Sequence, residues 1–354
     1  MDKTVKKILI FFSIVLVFYL LKILSTILIP FVLALLLAIL FHPLIINLEK
    51  IKLPRWLIIP VISAVTLLLF FVVINIILAT SSQIVQQQDF FVERLKQKTS
   101  VLFDLVNYRF QSDFDFAYIA EEFREGFDVQ ILSQTAGELA RVLRSFVASF
   151  VMFAIYYVIF LAGMSNYRFY LQHVGGEKDG YTLVENYEKI KKSVFSYIII
   201  KSLISLLTAF CAGIILWLFG VKFVLFFAFL TFILNFIPNI GSTIATIPPV
   251  IMLFIQSDSI NPVVVLLILL SAIQMSIGNV LEPVVMGNRL RLNTFTVLFG
   301  LVLWGFIWGI PGMMLSVPLM VITKLFLEQS DSTKIVARAM GYPEKLKHEP
   351  VINR

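Results

Sequence analysis

Two stretches decide the reading: FVLFFAFLTFILNFIPNIGSTIATIPPVIMLFI, residues 223–255, and FTVLFGLVLWGFIWGIPGMMLSVPLMVITKLFL, residues 295–327. Neither carries a charged residue, apart from Lys324 near the end of the second, and both are strongly apolar. A single helix crosses the hydrocarbon core with ~20 apolar residues, so each stretch is too long for one crossing and too short for two. Each is also broken in its middle, at Ile237-Pro238-Asn239-Ile240-Gly241 and at Gly309-Ile310-Pro311-Gly312, with proline again at Pro248, Pro249 and Pro318. Proline lacks the amide that a helix interior needs and glycine accepts conformations other residues avoid, so these are places where a helix bends or reverses. Either the two stretches are long, kinked crossing helices, or they are re-entrant hairpins.

Loop charge separates the two topologies. Full crossings put the loop Gln256 to Asn261 in the cytoplasm and the loop holding Arg289 and Arg291 outside; hairpins swap the two. Lysine and arginine favour the cytoplasmic side, and only the second loop carries them. The charge pattern therefore favours hairpins, the first inserting from outside and the second from the cytoplasm, around a crossing helix at Pro262 to Leu281. Broken helices of inverted topology that meet near the midplane are a recurring transporter design.

The rest of the chain agrees with a bilayer as solvent. Of 354 residues 59% are hydrophobic and 14% charged, and the mean hydropathy is +0.92; soluble domains average about 45–50% and about 25%. An all-α, polytopic membrane protein of about eight embedded segments follows, six spans plus two hairpins, because helices satisfy their own backbone in lipid. The net charge of +7 sits at the ends of apolar runs, which argues for topology and against nucleic acid as a partner. Cys211, the single cysteine, excludes an intrachain disulfide or a cysteine metal cluster.

From the N-terminus, residues 1–80 form a three-span region, with helices about 8–28, 30–48 and 56–80 and a turn expected at Ser25, Thr26 and Pro30. Returning at that turn, the first pair places Lys3, Lys6 and Lys7 beside Lys50, Lys52 and Arg55 in the cytoplasm. Residues 81–144 carry seven Lys/Arg and ten Asp/Glu with apolar residues at helical spacing, as in Val101, Leu102, Leu105 and Val106, and read as an external helical insert. A fourth span follows at 145–164. Residues 165–200 form a cytoplasmic linker whose Val184 to Tyr197 part is an amphipathic helix. The C-terminal core, 201–327, opens with a span at Ile198 to Phe219 and ends in a cytoplasmic tail, 328–354. Both termini are expected in the cytoplasm of a bacterial inner-membrane protein.

Three motifs in order carry a family resemblance: Ile237-Pro238-Asn239-Ile240-Gly241 with Ile247-Pro248, Leu281-Glu282-Pro283-Val284-Val285-Met286-Gly287, and Trp308-Gly309-Ile310-Pro311-Gly312-Met313-Met314-Leu315-Ser316-Val317-Pro318. In these the sequence resembles the autoinducer-2 exporter-like (AI-2E) family of bacterial membrane proteins, and the order of elements extends the likeness over nearly the whole chain. One departure is Thr294, where the family often carries proline at the start of a helix. The resemblance implies a secondary transporter, with some relatives linked to export of the quorum-sensing signal and others to sodium or lithium exchange against protons.

No G-x-x-x-x-G-K-[ST] or G-x-G-x-x-G loop is present to hold a nucleotide, and His42, His173 and His348 are too dispersed for a metal or a catalytic base. We therefore expect no enzyme, no metal and no bound cofactor, with coupling to protons or sodium as the energy source. Ionisable residues inside apolar runs are costly and mark functional sites. Glu282 stands out, with Asn279 three residues before it on the same helical face and Gln274 two turns away. It reads either as a titrating cation or proton site, or as a helix end before Pro283 paired with Arg289 or Arg291. Asn235 and Asn239 flank Pro238 at the first break; they bind a polar solute or ion there, or bond backbone that the proline frees. Pro238, Gly241, Pro311 and Gly312 are candidate gating positions, Gly305 and Gly309 have close-packing spacing, and Lys22 and Lys201 read as snorkelling residues. The expected partners are the lipid bilayer, a small polar solute or monovalent cation, and further copies of the chain. A passive oligomeric channel and a non-transport scaffold or receptor are the alternatives.

Overall fold

The computed structural model describes residues 3–87, 90–91, 93–94, 97–98, 149–164, 167–238, 240–286 and 292–341. Most of the 81–144 insert, Arg289 and Arg291, Asn239 and the tail beyond residue 341 lie outside them. Among the described residues every regular element is helical. We label them α1 (Lys3–Ile23), α2 (Ser25–Lys50), α3 (Arg55–Gln86), α4 (Ser149–Gly163), α5 (Tyr167–Leu218), α6 (Val224–Leu234), α7 (Gly241–Gln256), α8 (Asn261–Met286), α9 (Thr294–Leu327) and α10 (Lys334–Ala339). Six of these helices contain segments long and apolar enough to cross a membrane: α1, α2, α3, α5, α8 and α9. Large apolar side chains such as Phe11, Phe71, Phe210 and Phe306 stand exposed on their outer faces. That is the surface of a polytopic membrane protein, whose outside is as apolar as its inside.

Both long apolar stretches fold back on themselves. α6 has only 11 residues and at 1.5 Å per residue reaches ~16 Å, about half the hydrocarbon thickness. After the turn that begins at 235–238, α7 returns, and the Lys222 amide donates to the Gln256 Oε1 at 3.2 Å, closing the base of the hairpin. In α9 the reversal falls at Gly309, with φ 64° and ψ −143°. That left-handed extended conformation is one that only glycine adopts without strain. Residues either side of it then lie face to face: a β-carbon added to Gly300 would come within 2.4 Å of Met320, a contact that a straight helix, ~30 Å longer between those residues, excludes. The sequence places the second break correctly but leaves open which residue turns the chain; Gly309 does, and Pro311 starts the returning arm.

The two hairpins insert from opposite ends of the bundle. α8 runs from Asn261, beside the base of the first, to Met286, beside the base of the second, and its 26 residues span ~39 Å. The tip of the first packs on the arms of the second: Leu234, Ile237 and Ala245 lie against Leu301, Met313 and Met314. Each returning arm begins with a glycine pressed on the outgoing arm. A β-carbon on Gly241 would stand 1.7 Å from the Leu234 carbonyl oxygen, and one on Gly312 2.0 Å from that of Trp304. The second hairpin is set in the main core with Ala34, Ile62, Tyr157 and Ile198 from α2 to α5, and its Trp308 indole donates to the Leu21 carbonyl at 2.9 Å.

Elsewhere the structure differs from the expected boundaries. α1 and α2 part at Leu24, one residue with φ −82° and ψ 11°, and Pro30 sits inside α2. A helical hairpin needs about 2–5 connecting residues, and α1 from Ile8 to Leu20 is exposed all round. The junction is therefore a kink, and α1 does not pack along α2. The amphipathic linker and the fifth span are one continuous helix from Gly180 to Leu218. Ahead of it Gly176, with φ 65°, folds Tyr167–Gly176 back, so that Tyr167 donates to Glu188, Arg168 reaches Glu188 at 3.0 Å and the Lys191 ammonium lies 5.0 Å over the Tyr167 ring. Thr294 takes the first helical position, where proline is favoured; here Asn293 caps the helix instead, accepting from the Thr296 amide at 2.8 Å.

Candidate functional site

One face of α5 carries Tyr197, Lys201, Ser205 and Thr208 on successive turns, the spacing that stacks side chains in a row, and all four are buried. A polar row inside an apolar bundle is costly unless it is paired. Lys201 donates to the Glu282 Oε1 at 2.5 Å, with its side chain 4% exposed and that of Glu282 20% exposed. This is the buried ion pair of the transport core, joining α5 to α8. The Tyr197 hydroxyl, buried within reach of the Glu282 charge, has no hydrogen-bond partner among the described residues. One turn further along α5, Ser205 accepts from the Asn235 amide at 3.0 Å, and that bond fixes the tip of the first hairpin. Thr208 and Thr231 bond their own helices, at Ile204 and Phe227.

Glu282 reaches Lys201 because α8 changes its winding. Met275–Leu281 forms a π-helical segment, a wider turn that is rare and recurs at functional sites. Each residue of a wider turn adds a smaller rotation, so the face shared by Asn279 and Glu282 in an ordinary helix is split: Asn279 is exposed, whereas Glu282 turns inward. Gln274 is half-buried ahead of that segment. The partner of Glu282 is Lys201, 81 positions earlier, rather than the neighbouring arginines, and Lys201 is thus no snorkelling residue. Lys22 is not simply at the interface either; its ammonium lies 4.2 Å over the Phe306 ring.

The structure brings Asn235 and Glu282 together through consecutive turns of α5, and Pro238 and Gly241 lie at the same tip as Asn235. Asn239 lies outside the described residues. Pro311 and Gly312 belong to the other hairpin, which meets the tip of the first through Met313 and Met314 rather than through the ion pair. Sequence reasoning did not find Tyr197, Lys201 and Ser205. The signal available was their four-residue spacing with polar identity in an otherwise apolar helix. Among the described residues no group of three His, Cys, Asp or Glu converges as a metal site.

Two opposed hairpins meeting beside a buried ion pair, within an all-helical polytopic bundle, define the class: a membrane transport protein with discontinuous helices in its core. The sequence profile of the AI-2E family transporter matches residues 8–331, and the chain belongs to that family. It is 32% identical over 332 residues, 92% of this chain and 93% of the other, to a Haemophilus influenzae protein provisionally named a transport protein. It is 27% identical over 315 residues, 88% and 89% of the two chains, to the AI-2 transport protein TqsA of Escherichia coli. A third relative, the provisionally named transport protein YhhT of Escherichia coli, is 38% identical over 154 residues, 42% of this chain and 43% of that one.

Proposed function

We propose that this chain is a secondary transporter of the bacterial inner membrane that exports a small polar solute of the autoinducer kind or exchanges a monovalent cation for protons. The two hairpins provide alternating access, and Glu282 is the titrating group. The C-terminus faces the cytoplasm; with α1 not returning along α2, the first helix pair no longer places the N-terminus there. The observation that carries the reading is the Lys201–Glu282 pair, buried where the tip of the first hairpin is fastened to α5. A buried pair costs desolvation that apolar residues would avoid, so its place in a transport core is best explained by use. Proton uptake at Glu282 changes the charge of the cluster beside a movable tip, which is what coupling requires. The family name of TqsA supports a signal-molecule substrate, and the carboxylate with its wide-turn helix supports a cation.

The test is flux in proteoliposomes under an imposed proton gradient, with an autoinducer-type solute and sodium as alternative cargoes. The expected result is uphill movement of one of them, lost in Glu282→Gln and in Lys201→Met while both variants remain inserted and monodisperse. Downhill flux only, indifferent to the proton gradient, refutes coupled transport and leaves the passive channel.

A further inference from the structure

Lys201 and Ser205 occupy adjacent turns of α5 and hold two different elements. Lys201 holds α8 through Glu282, and Ser205 holds the tip of the first hairpin through Asn235. The two attachments are not equally saturated. The Lys201 ammonium has three donors and a single acceptor among the described residues, the Glu282 Oε1. Asn235 uses its amide nitrogen on Ser205, and its Oδ1 accepts from no described residue. A helical turn rises 5.4 Å, and side chains four apart on a helix are neighbours. The long, flexible stem of a lysine is thus able to carry its ammonium from the level of Glu282 to that of Asn235.

We propose that Lys201 is a two-position switch: while Glu282 is a carboxylate it holds the ammonium, and when Glu282 takes up a proton the ammonium moves one turn along α5 to the Oδ1 of Asn235 at the hairpin tip. The proton comes from water and stays on Glu282, Lys201 remains protonated throughout, and the cluster passes from neutral to singly positive. The tip then gains, beside its neutral bond to Ser205, a charge-assisted one about twice as strong, and so senses the charge state of a residue on another helix. Asn235 is on this account the positioning residue that couples Glu282 to the gate. The inference rests on the transport reading for its purpose but not for its geometry.

Few other charges compete. Residues 223–256 hold no titratable side chain at all. α9 contributes Lys324, which pairs with Glu328 at 3.8 Å. α2 contributes His42, Glu49 and Lys50; His42 has Lys191 and Glu188 of α5 among its charged neighbours, and Glu49 pairs with Arg55. α10 contributes Lys334 and Arg338, of which Lys334 lies near Asp331. On α5 itself Tyr197 faces Glu282. α8 contributes Glu282.

The experiment reads conformation directly. In the full-length protein with Cys211→Ser, a cysteine at Ser242 beside the hairpin tip is labelled with a water-soluble maleimide across the pH range, in liposomes. The labelling rate is expected to change with pH by ~10-fold, the effect of a population shift of about 1.4 kcal/mol. Glu282→Gln fixes the rate at its acid value at every pH. Asn235→Leu removes the pH response, and Asn235→Gln, which keeps an amide carbonyl, restores it. Retention of the full pH response in Asn235→Leu overturns the switch, as does a Glu282→Gln protein that labels like the parent at alkaline pH. Loss of uphill flux with this labelling pattern intact would sink the transport reading alone, and uphill flux without the pattern would sink the switch alone.

Discussion

Removing one partner of the Lys201–Glu282 pair has a magnitude and an asymmetry that follow from its burial. Breaking a buried pair by deleting one charge costs roughly 3–5 kcal/mol, because the remaining charge is left uncompensated in a poor dielectric. Here the partners differ: the lysine side chain is 4% exposed and the glutamate 20%. Glutamate left alone in Lys201→Met is nearer to water, which solvates its charge in part. Lysine left alone in Glu282→Gln keeps only a neutral amide and has less access to solvent. Glu282→Gln is therefore expected to be the more destabilising single change, by about 1 kcal/mol or more. The double variant Lys201→Met/Glu282→Gln removes both charges and is expected to recover most of the loss, to within about 1 kcal/mol of the parent or above it, since apolar replacement of a buried pair is often neutral or stabilising. The assay is equilibrium unfolding of the purified protein by SDS in mixed micelles, analysed as a double-mutant cycle. A coupling energy near 3 kcal/mol is expected, and strict additivity, with coupling under about 0.5 kcal/mol, refutes the pairing. Transport should separate from stability in the same set of proteins: the double variant is well folded and transports nothing. Full flux in that variant would show the pair to be structural only.

Gly309→Ala places a β-carbon on a residue with φ 64° and is expected to cost about 1–3 kcal/mol and to abolish flux while insertion persists; wild-type stability and flux would show that the chain reverses elsewhere. Gly241→Ala meets the Leu234 carbonyl at 1.7 Å and should splay the first hairpin, read as a faster maleimide reaction at a cysteine placed at Ser242. Asn293→Ala loses the cap on Thr296 together with bonds to the Ala339 and Gly341 carbonyls at 2.7 and 3.1 Å. It should cost about 1–2 kcal/mol and speed proteolysis of the C-terminal segment, with Asn293→Ser keeping part of the protection. Single cysteines at Ser257 and Ser330 should react with an impermeant reagent from opposite sides of the membrane, since α8 crosses between them and the second hairpin does not; reaction from the same side would mean that residues 295–327 cross completely.

The embedded segments and their turning points were legible because lipid imposes a crude code: length, apolar composition and the position of proline and glycine. Residues 223–255 and 295–327 exceed one crossing and carry breakers, and the arginines of one loop chose between the two topologies. Finer choices were not legible. Pro30 is the stronger breaker by type, yet the break falls at Leu24, since a proline near the start of a helix loses little. Asn279 and Glu282 share a face only if the winding is regular, and nothing local announces the π-helical segment that separates them. The partner of Glu282 lies 81 residues away; a lysine at the start of an apolar run looks the same whether it reaches to the interface or turns inward to a carboxylate. Only its place in the polar row with Tyr197 and Ser205 sets Lys201 apart in the sequence; its partner is shown by what the fold brings against it.

The two hairpins are alike in construction but not in attachment, and the difference shows which one is more deeply set. The second has Trp304, Ile307, Trp308, Leu315 and Val317 in the main core, its Trp308 indole bonded to Leu21, and its base held by Asn293 to Ala339, Met340 and Gly341. The first touches a smaller core through Phe227 and Leu253, and its tip is fastened to α5 by the single Asn235–Ser205 bond. Its base is gripped instead: the Lys222 ammonium bonds Gln87 at 3.0 Å and faces the Phe90 and Phe91 rings at 5.2 and 5.7 Å, while Arg94 reaches Asp258 at 3.1 Å. An element set in a large core cannot shift without opening cavities, and the first hairpin is set in the smaller core of the two, with the Leu301, Met313 and Met314 contact and one hydrogen bond at its tip. The first hairpin is thus the less deeply set of the two, and the Lys201–Glu282 pair lies one helical turn from the bond that fastens its tip.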